Sequence, residues 1–188
     1  MAKQIEGVYE AVLECAKKEF LEKGYKDASL RTIAKEAGTS TSSIYTRFGD
    51  KEGLFRAIVE PVAEEMRRMF LEIQENFHQL DDNVQQSEMG RYTSLHQMEL
   101  LDYIYDHFDE FKLLLTSGEN STYQEFLHRV VEIDNQCTMR YIQASGNDAI
   151  SSGRLTPELS HLLSSAFYTG MFEVVIHDMP KDQAVEHI

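Results

Sequence analysis

Residues 41 to 51 gather side chains suited to holding a polyanion. Thr41, Ser42, Ser43, Tyr45, Thr46 and Arg47 fall in one short segment, and Lys51 follows closely. Hydroxyls donate to phosphate oxygens, a guanidinium meets a phosphate or a guanine edge with two parallel bonds, and free amides at a helix start attract anions. Ile44 and Phe48 stand four apart in the same segment and give it one inward side. A short helix that is small and polar outside and held from behind suits the major groove of DNA. With short hydroxyl side chains leading, direct base readout is expected to be thin, and DNA shape to carry much of the specificity. The plainer reading is that Tyr45 packs and Arg47 is merely solvated.

Such a helix needs elements to hold it. Leu30, Ile33, Ala34 and Ala37 recur at helical spacing, Ser29 is placed to cap them, and Gly38 to end them. Two short helices joined by a glycine turn make a helix-turn-helix. A first helix from about Lys3 to Lys23 carries Ile5, Val8, Val12, Ala16 and Phe20 on its inner face and stops at Gly24. A fourth helix opens after Gly49, with Asp50 as its cap and Glu52 facing its positive end.

In order, these features resemble the N-terminal domain of the TetR/AcrR family of bacterial transcriptional regulators. The match runs through Gly24-Tyr25, Leu30 to Ala34, Ala37-Gly38-Thr39-Ser40, Ile44 to Phe48, and Asp50 to Leu54. The Thr41-Ser42-Ser43 run departs from many members, which carry a glycine or a longer side chain there. The resemblance implies DNA contacts from Thr39, Ser40, Thr41, Ser42, Ser43, Tyr45, Thr46, Arg47 and Lys51, with Tyr45 on phosphate. It implies a DNA-binding domain over residues 1–50 and a helical effector-binding and dimerisation domain over 51–188.

Composition agrees with an all-α protein. Only three prolines and ten glycines interrupt 188 residues, 42% of which are hydrophobic, and no run of alternating hydrophobics flanks a hairpin dipeptide. A net charge of −14 looks hostile to DNA, yet it is unevenly spread. Residues 1–56 hold ten basic and nine acidic side chains; residues 57–188 hold eight and 23. Screening over about 8–10 Å lets the N-terminal surface meet phosphates while the acid lies elsewhere. No unbroken run of eighteen apolar residues occurs and the N-terminus lacks a secretory signal, so no membrane span and a cytoplasmic location are expected. Cys15 and Cys137 are 122 positions apart and read as free, partly buried thiols.

Beyond residue 50, apolar residues recur at Leu54, Ile58, Val62, Met66, Met69, Ile73, Phe77 and Leu80, predicting one long helix in which Pro61 is an obstacle. A helix from about Ser87 should turn Tyr92, Leu95, Met98, Leu101, Ile104 and Phe108 inward. Phe111–Leu115 forms a short helix that Gly118 can end, and a long one spans about Tyr123–Gln143. Residues 145–156 read as a loop, Pro157 begins a helix to Ile176, and a last helix starts near Lys181.

In the resembled family a cavity in the C-terminal domain takes a small effector. Candidate wall residues here are Phe70, Phe77, Tyr92, His96, Tyr103, Phe108, Phe126, Tyr141, Phe167 and Met171; ordinary core is the alternative for any one of them. The surplus of acid slightly favours neutral or cationic ligands. The family also implies a two-fold four-helix interface, for which Leu159, Leu162, Leu163, Ala166, Gly170 and Val174 are candidates. The 157–177 helix is too apolar for a solvated face, and its alternative role is core of its own domain.

No HExxH, G-x-S-x-G, P-loop or GxGxxG pattern is present, so no catalytic residue, metal or cofactor is expected. The resulting reading is a homodimeric, ligand-responsive regulator, most simply a repressor, on an inverted-repeat operator in double-stranded DNA. The rival is an all-helical interaction protein whose helix-turn-helix does not read DNA.

Overall fold

The computed structural model describes residues 2–117 and 121–187, with side chains from Gly7 to Ser117 and from Thr122 to His187. The expected roles of Ile5 and Gly118 lie outside these limits. Among the described residues the chain is helical, without a strand: α1 (Ala2–Asp27), α2 (Leu30–Glu36), α3 (Thr41–Phe48), α4 (Lys51–His78), α5 (Asp82–Asp106), α6 (Phe108–Thr116), α7 (Ser121–Ala144), α8 (Pro157–Ile176) and α9 (Lys181–His187). Two compact units form, one from residues 1–63 and 107–122, the other from 64–106 and 123–188. The first unit thus runs past residue 50, because Leu54, Phe55, Ile58, Val59 and Val62 of α4 are all buried there.

In unit 1, α1 breaks at Gly24, where φ 75° and ψ 162° interrupt the helical backbone before Asp27. Val12, Ala16 and Phe20 are buried as their spacing requires. Phe20 sits edge-on to Phe55 with centroids 5.5 Å apart, and Tyr25 meets the same ring at 5.1 Å. Glu19, though 8% exposed, keeps a partner: its carboxylate accepts the Ser29 N–H at 3.0 Å, at the amino end of α2, where a negative charge is favoured. Lys17 reaches Glu110 of α6 at 3.0 Å.

In unit 2 the loop–helix boundary differs from expectation. α5 starts at Asp82, not near Ser87. Gln85 explains it: this side chain is 4% exposed and donates from Nε2 to the Leu80 carbonyl at 2.8 Å, closing off the end of α4. Leu95, expected inside, is 62% exposed, while Leu100 is buried. Thr156 caps α8 by accepting the Leu159 N–H, with Pro157 in the first turn as expected. Tyr105 donates to the Met179 carbonyl at 2.7 Å, and Lys181 meets Asp102 at 3.0 Å, which ties α9 to α5.

The turn between α3 and α4 admits no side chain at Gly53. A Cβ there would lie 1.9 Å from the Phe48 carbonyl oxygen, a backbone atom. Gly53→Ala therefore requires the two helices to move apart, and should lower stability by about 1–3 kcal/mol, the usual cost of overpacking. Chemical denaturation of the full chain checks this, and an unchanged midpoint would contradict the close approach.

Candidate nucleic-acid interface and ligand cavity

α3 is fixed at both ends by its own sequence. Ser40 adopts an extended backbone and its Oγ accepts the Ser43 N–H at 3.2 Å. Gly38, at φ 64°, and the Thr39 N–H, which donates to the Ala34 carbonyl at 2.9 Å, set the angle at which α3 leaves α2. Gly49, at φ 81°, ends the helix. Asp50 then accepts the Gly53 N–H at 2.7 Å and starts α4. Ile44 is 1% exposed and anchors the inner side. Thr39 and Thr41 are half-buried, whereas Ser40, Ser42, Ser43, Tyr45, Thr46 and Arg47 are exposed.

These outer residues are not equally free. The Thr46 hydroxyl donates back to the Ser42 carbonyl at 2.8 Å. The Arg47 guanidinium lies over the Tyr9 ring, 4.7 Å from its centroid, and Tyr9 in turn stacks on Phe48 at 5.6 Å. Lys51 donates to the Lys26 carbonyl at 2.9 Å and its ammonium sits 5.2 Å from the Tyr25 ring centre. Partial burial pushes the Lys51 pKa down, with Asp27 and Glu19 opposing that shift. Tyr9 and Tyr25, which position the two cations, were not foreseen; aromatic rings in the segments flanking a basic helix are the signal that would have found them.

Unit 2 encloses a cavity of about 290 Å³ between α4, α5, α7 and α8. Phe70, Phe77, Tyr92, Tyr141, Phe167 and Met171 all line it, and so does His96. Phe77 is the hub of the wall, 5.1 Å from Tyr92 and 5.7 Å from Tyr141 by ring centres. Three expected wall residues are elsewhere. Phe108 opens α6 and belongs to unit 1. Phe126 is buried in unit 2 against Phe172 at 5.5 Å, and Tyr103 is half-buried on α5 away from the cavity wall.

The polar members of the wall were the harder ones to foresee. Gln74, Thr93, Gln97 and Thr138 bring hydrogen-bonding groups. Asp134 accepts the Ser164 hydroxyl at 2.6 Å and the Tyr168 hydroxyl at 3.1 Å. Burial, and then the Asp134 charge, hold Tyr168 protonated far above the usual phenol range. Cys137 is also in the wall, and burial pushes its thiol up, away from thiolate. The Asp134 signal was present in the sequence as a carboxylate four residues after Val130 and three before Cys137, a spacing that puts all three on one helix face.

On α8, Leu159, Leu162 and Leu163 are 40%, 64% and 58% exposed, and Ala166 and Gly170 are exposed beside them. Val174 does not share that face; it is 5% exposed because the helix turns it into the core of unit 2. The 20 residues of α8 are long and apolar enough to cross a membrane by length and composition alone, and 39% of that apolar window is buried within the fold.

His78 also lines the cavity, and its Nε2 is buried without a hydrogen-bond partner. Burial pushes its pKa below the ordinary 6.5, and the positive charge of Arg140 adds to this while Glu75 opposes it. The unfolded chain therefore takes up the proton first on acidification, and stability falls as pH drops below 6.5. Thermal melts between about pH 7.5 and about pH 5.5 should show a smaller loss for His78→Gln than for the wild type. An equal loss in both would contradict this.

Residues 12–58 match the bacterial regulatory proteins of the TetR family. YhgD of Bacillus subtilis, an uncharacterized HTH-type transcriptional regulator, is 27% identical over 146 residues, covering 78% of this chain and 71% of YhgD. The HTH-type transcriptional repressor AcnR of Corynebacterium glutamicum is 38% identical over 61 residues, 32% of each chain. The transcriptional regulator FadR of B. subtilis, solved in complex with stearoyl-CoA, shares the fold with a TM-score of 0.57 at 18% identity, over 95% of this chain and 96% of that one. An N-terminal helix-turn-helix held as described agrees with these matches: residues 12–58 are similar to the DNA-binding part of bacterial regulatory proteins of the TetR family, and most of the chain is similar to a transcriptional regulator at 27% identity and shares its fold with FadR.

Proposed function

We propose that this regulator is a homodimeric repressor, bound to an inverted-repeat operator in the cytoplasm and released by a small molecule in the unit 2 cavity. One observation carries the reading: α3 presents an exposed polar face while Ile44, the Ser40 cap and the Gly53 turn fix its backbone. Thr39, Ser40, Thr41, Ser42 and Ser43 then meet the DNA backbone near the amino end of α3, where its amides favour phosphate. Tyr45, 52% exposed, offers its hydroxyl to phosphate, and Thr46 lies beside it. Arg47 meets a phosphate or a guanine edge from its seat on Tyr9. Lys51 gives one hydrogen to Lys26 and keeps two donors for phosphate.

A single helix-turn-helix neutralises few phosphates, so two copies reading half-sites about 34–36 Å apart are the economical arrangement. The exposed apolar face of α8, from Leu159 to Gly170, supports a second copy of this chain as its cover rather than lipid. Buried Ser164 and Tyr168 on the same helix already engage Asp134, which suits a protein-packed environment. AcnR, which is named a repressor, supports the sign of the response. For release, α4 supplies Leu54 to the core of unit 1 and Phe70 and Phe77 to the cavity wall of unit 2. A ligand that binds better when the cavity end of α4 is displaced shifts the population away from the DNA-binding state by its difference in affinity.

The test is operator affinity as a function of salt. Arg47→Ala should weaken binding and reduce the slope of log affinity against log salt by about one, if the guanidinium holds one phosphate. Unchanged affinity and slope would remove Arg47 from the interface, and unchanged values for Lys51→Ala as well would sink the DNA-contact assignment.

A further inference from the structure

The charge of the cavity wall is lopsided. Neither Lys nor Arg lines it, and Asp134 is its one carboxylate. That carboxylate accepts two hydroxyls, from Ser164 and Tyr168, which leaves about two of its four lone-pair sites open. Among the described residues no ammonium or guanidinium pairs with it. Arg140, on the same helix, is exposed and pairs with Glu75 at 3.3 Å. His78 stays neutral at ordinary pH for the reasons given above, and His96 is engaged with Glu99 at 2.9 Å.

Around this lone charge stand six aromatic rings: Phe70, Phe77, Tyr92, Tyr141, Phe167 and Tyr168. Their faces carry partial negative charge and attract a cation within about 6 Å of the ring centre. An anion entering the same space would meet a carboxylate and no counter-charge, and would lose its hydration unrecovered. The volume, about 290 Å³, suits a compact organic molecule. The phosphates of a CoA thioester, the ligand named for the FadR structure, find no cationic side chain in this wall.

We infer that the cavity takes a lipophilic organic monocation, a tertiary or quaternary ammonium on an aromatic or short alkyl body, with Asp134 as its counter-charge. The assignment rests on the reading of this cavity as the effector site and narrows it to one ligand class. Asp134 accounts for the preference over a neutral molecule of equal shape; the rings account for tolerance in the shape itself.

Calorimetric titration of the full chain, without DNA, tests it with three probes: phenethyltrimethylammonium, the hydrocarbon in which tert-butyl replaces the trimethylammonium group, and phenylpropionate. The cation should bind at least about tenfold tighter than the hydrocarbon, and phenylpropionate should not bind. Asp134→Asn, whose amide oxygen still accepts a hydroxyl, should lose the preference for the cation and keep the hydrocarbon affinity. Should that variant fail to fold, the ranking of the three probes on the wild type decides alone. Equal binding of cation and hydrocarbon, tighter binding of phenylpropionate, or no binding of any probe would overturn the inference. Because the titration contains no DNA, its outcome does not depend on operator release: a cation that binds here yet leaves operator affinity unchanged in a separate DNA titration would refute release by ligand and leave the ligand class standing.

Discussion

The presentation of α3 depends on one backbone approach, the Gly53 Cα against the Phe48 carbonyl. Because no Cβ intervenes, α3 can end at Phe48 and α4 begin at Lys51 with only Gly49 and Asp50 between them. With that short link Phe48 stacks on Tyr9 and Phe55 meets Phe20, both of α1, Leu54 is buried, and the outer side of α3 stays exposed. Two cations of this segment are seated on aromatic rings of α1, Arg47 on Tyr9 and Lys51 on Tyr25. A guanidinium held on a ring surrenders less rotamer freedom on meeting a phosphate than one sweeping through solvent.

Electrostatics divides along the chain in the same sense. In the acidic remainder, cations are committed to neighbouring acids: Arg67 to Glu64, Arg68 to Glu65 and Glu72, Arg129 to Glu125, Arg154 to Asp148. Exposed pairs of this kind add little stability, about 0–1 kcal/mol each, but they withhold positive charge from phosphate. The interior of unit 2 continues the pattern, since its cavity wall carries Asp134 without a cation. Under the proposed reading, protein, operator and ligand sort by sign: a near-neutral N-terminal part for a polyanion, and an acidic part whose cavity would take a cation.

Much of the fold was legible in the sequence because its decisive signals are local. Ser29 caps the helix it precedes, Gly24 and Gly38 adopt the left-handed backbone, and Asp50 holds the Gly53 amide. Errors arose where tertiary contacts override spacing. Asp81-Asp82-Asn83 reads as a break, yet α5 starts at Asp82 because Gln85 folds back on the Leu80 carbonyl. Leu95 fits an inward stripe but points out, since α5 turns Leu100 and Tyr92 to its neighbours instead. In the cavity, the aromatic wall candidates come from the family resemblance, with ordinary core as the alternative for each. Phe108, Phe126 and Tyr103 show why that is incomplete, because aromatic content does not say which ring faces a void and which fills a core. Asp134 was readable only as a carboxylate on the helix face of Val130 and Cys137, and its meaning came from Ser164 and Tyr168, thirty or more positions away.

The central claim, that two copies of this chain read an inverted repeat, is tested most directly by selecting bound sequences from a random duplex library at low and moderate salt. The account predicts enrichment of two half-sites in opposite orientation, about one helical turn apart, with occupancy falling steeply as salt rises. Enrichment of no sequence at either salt, from protein that is folded and free of added ligand, would contradict it and favour a helix-turn-helix that serves protein contacts.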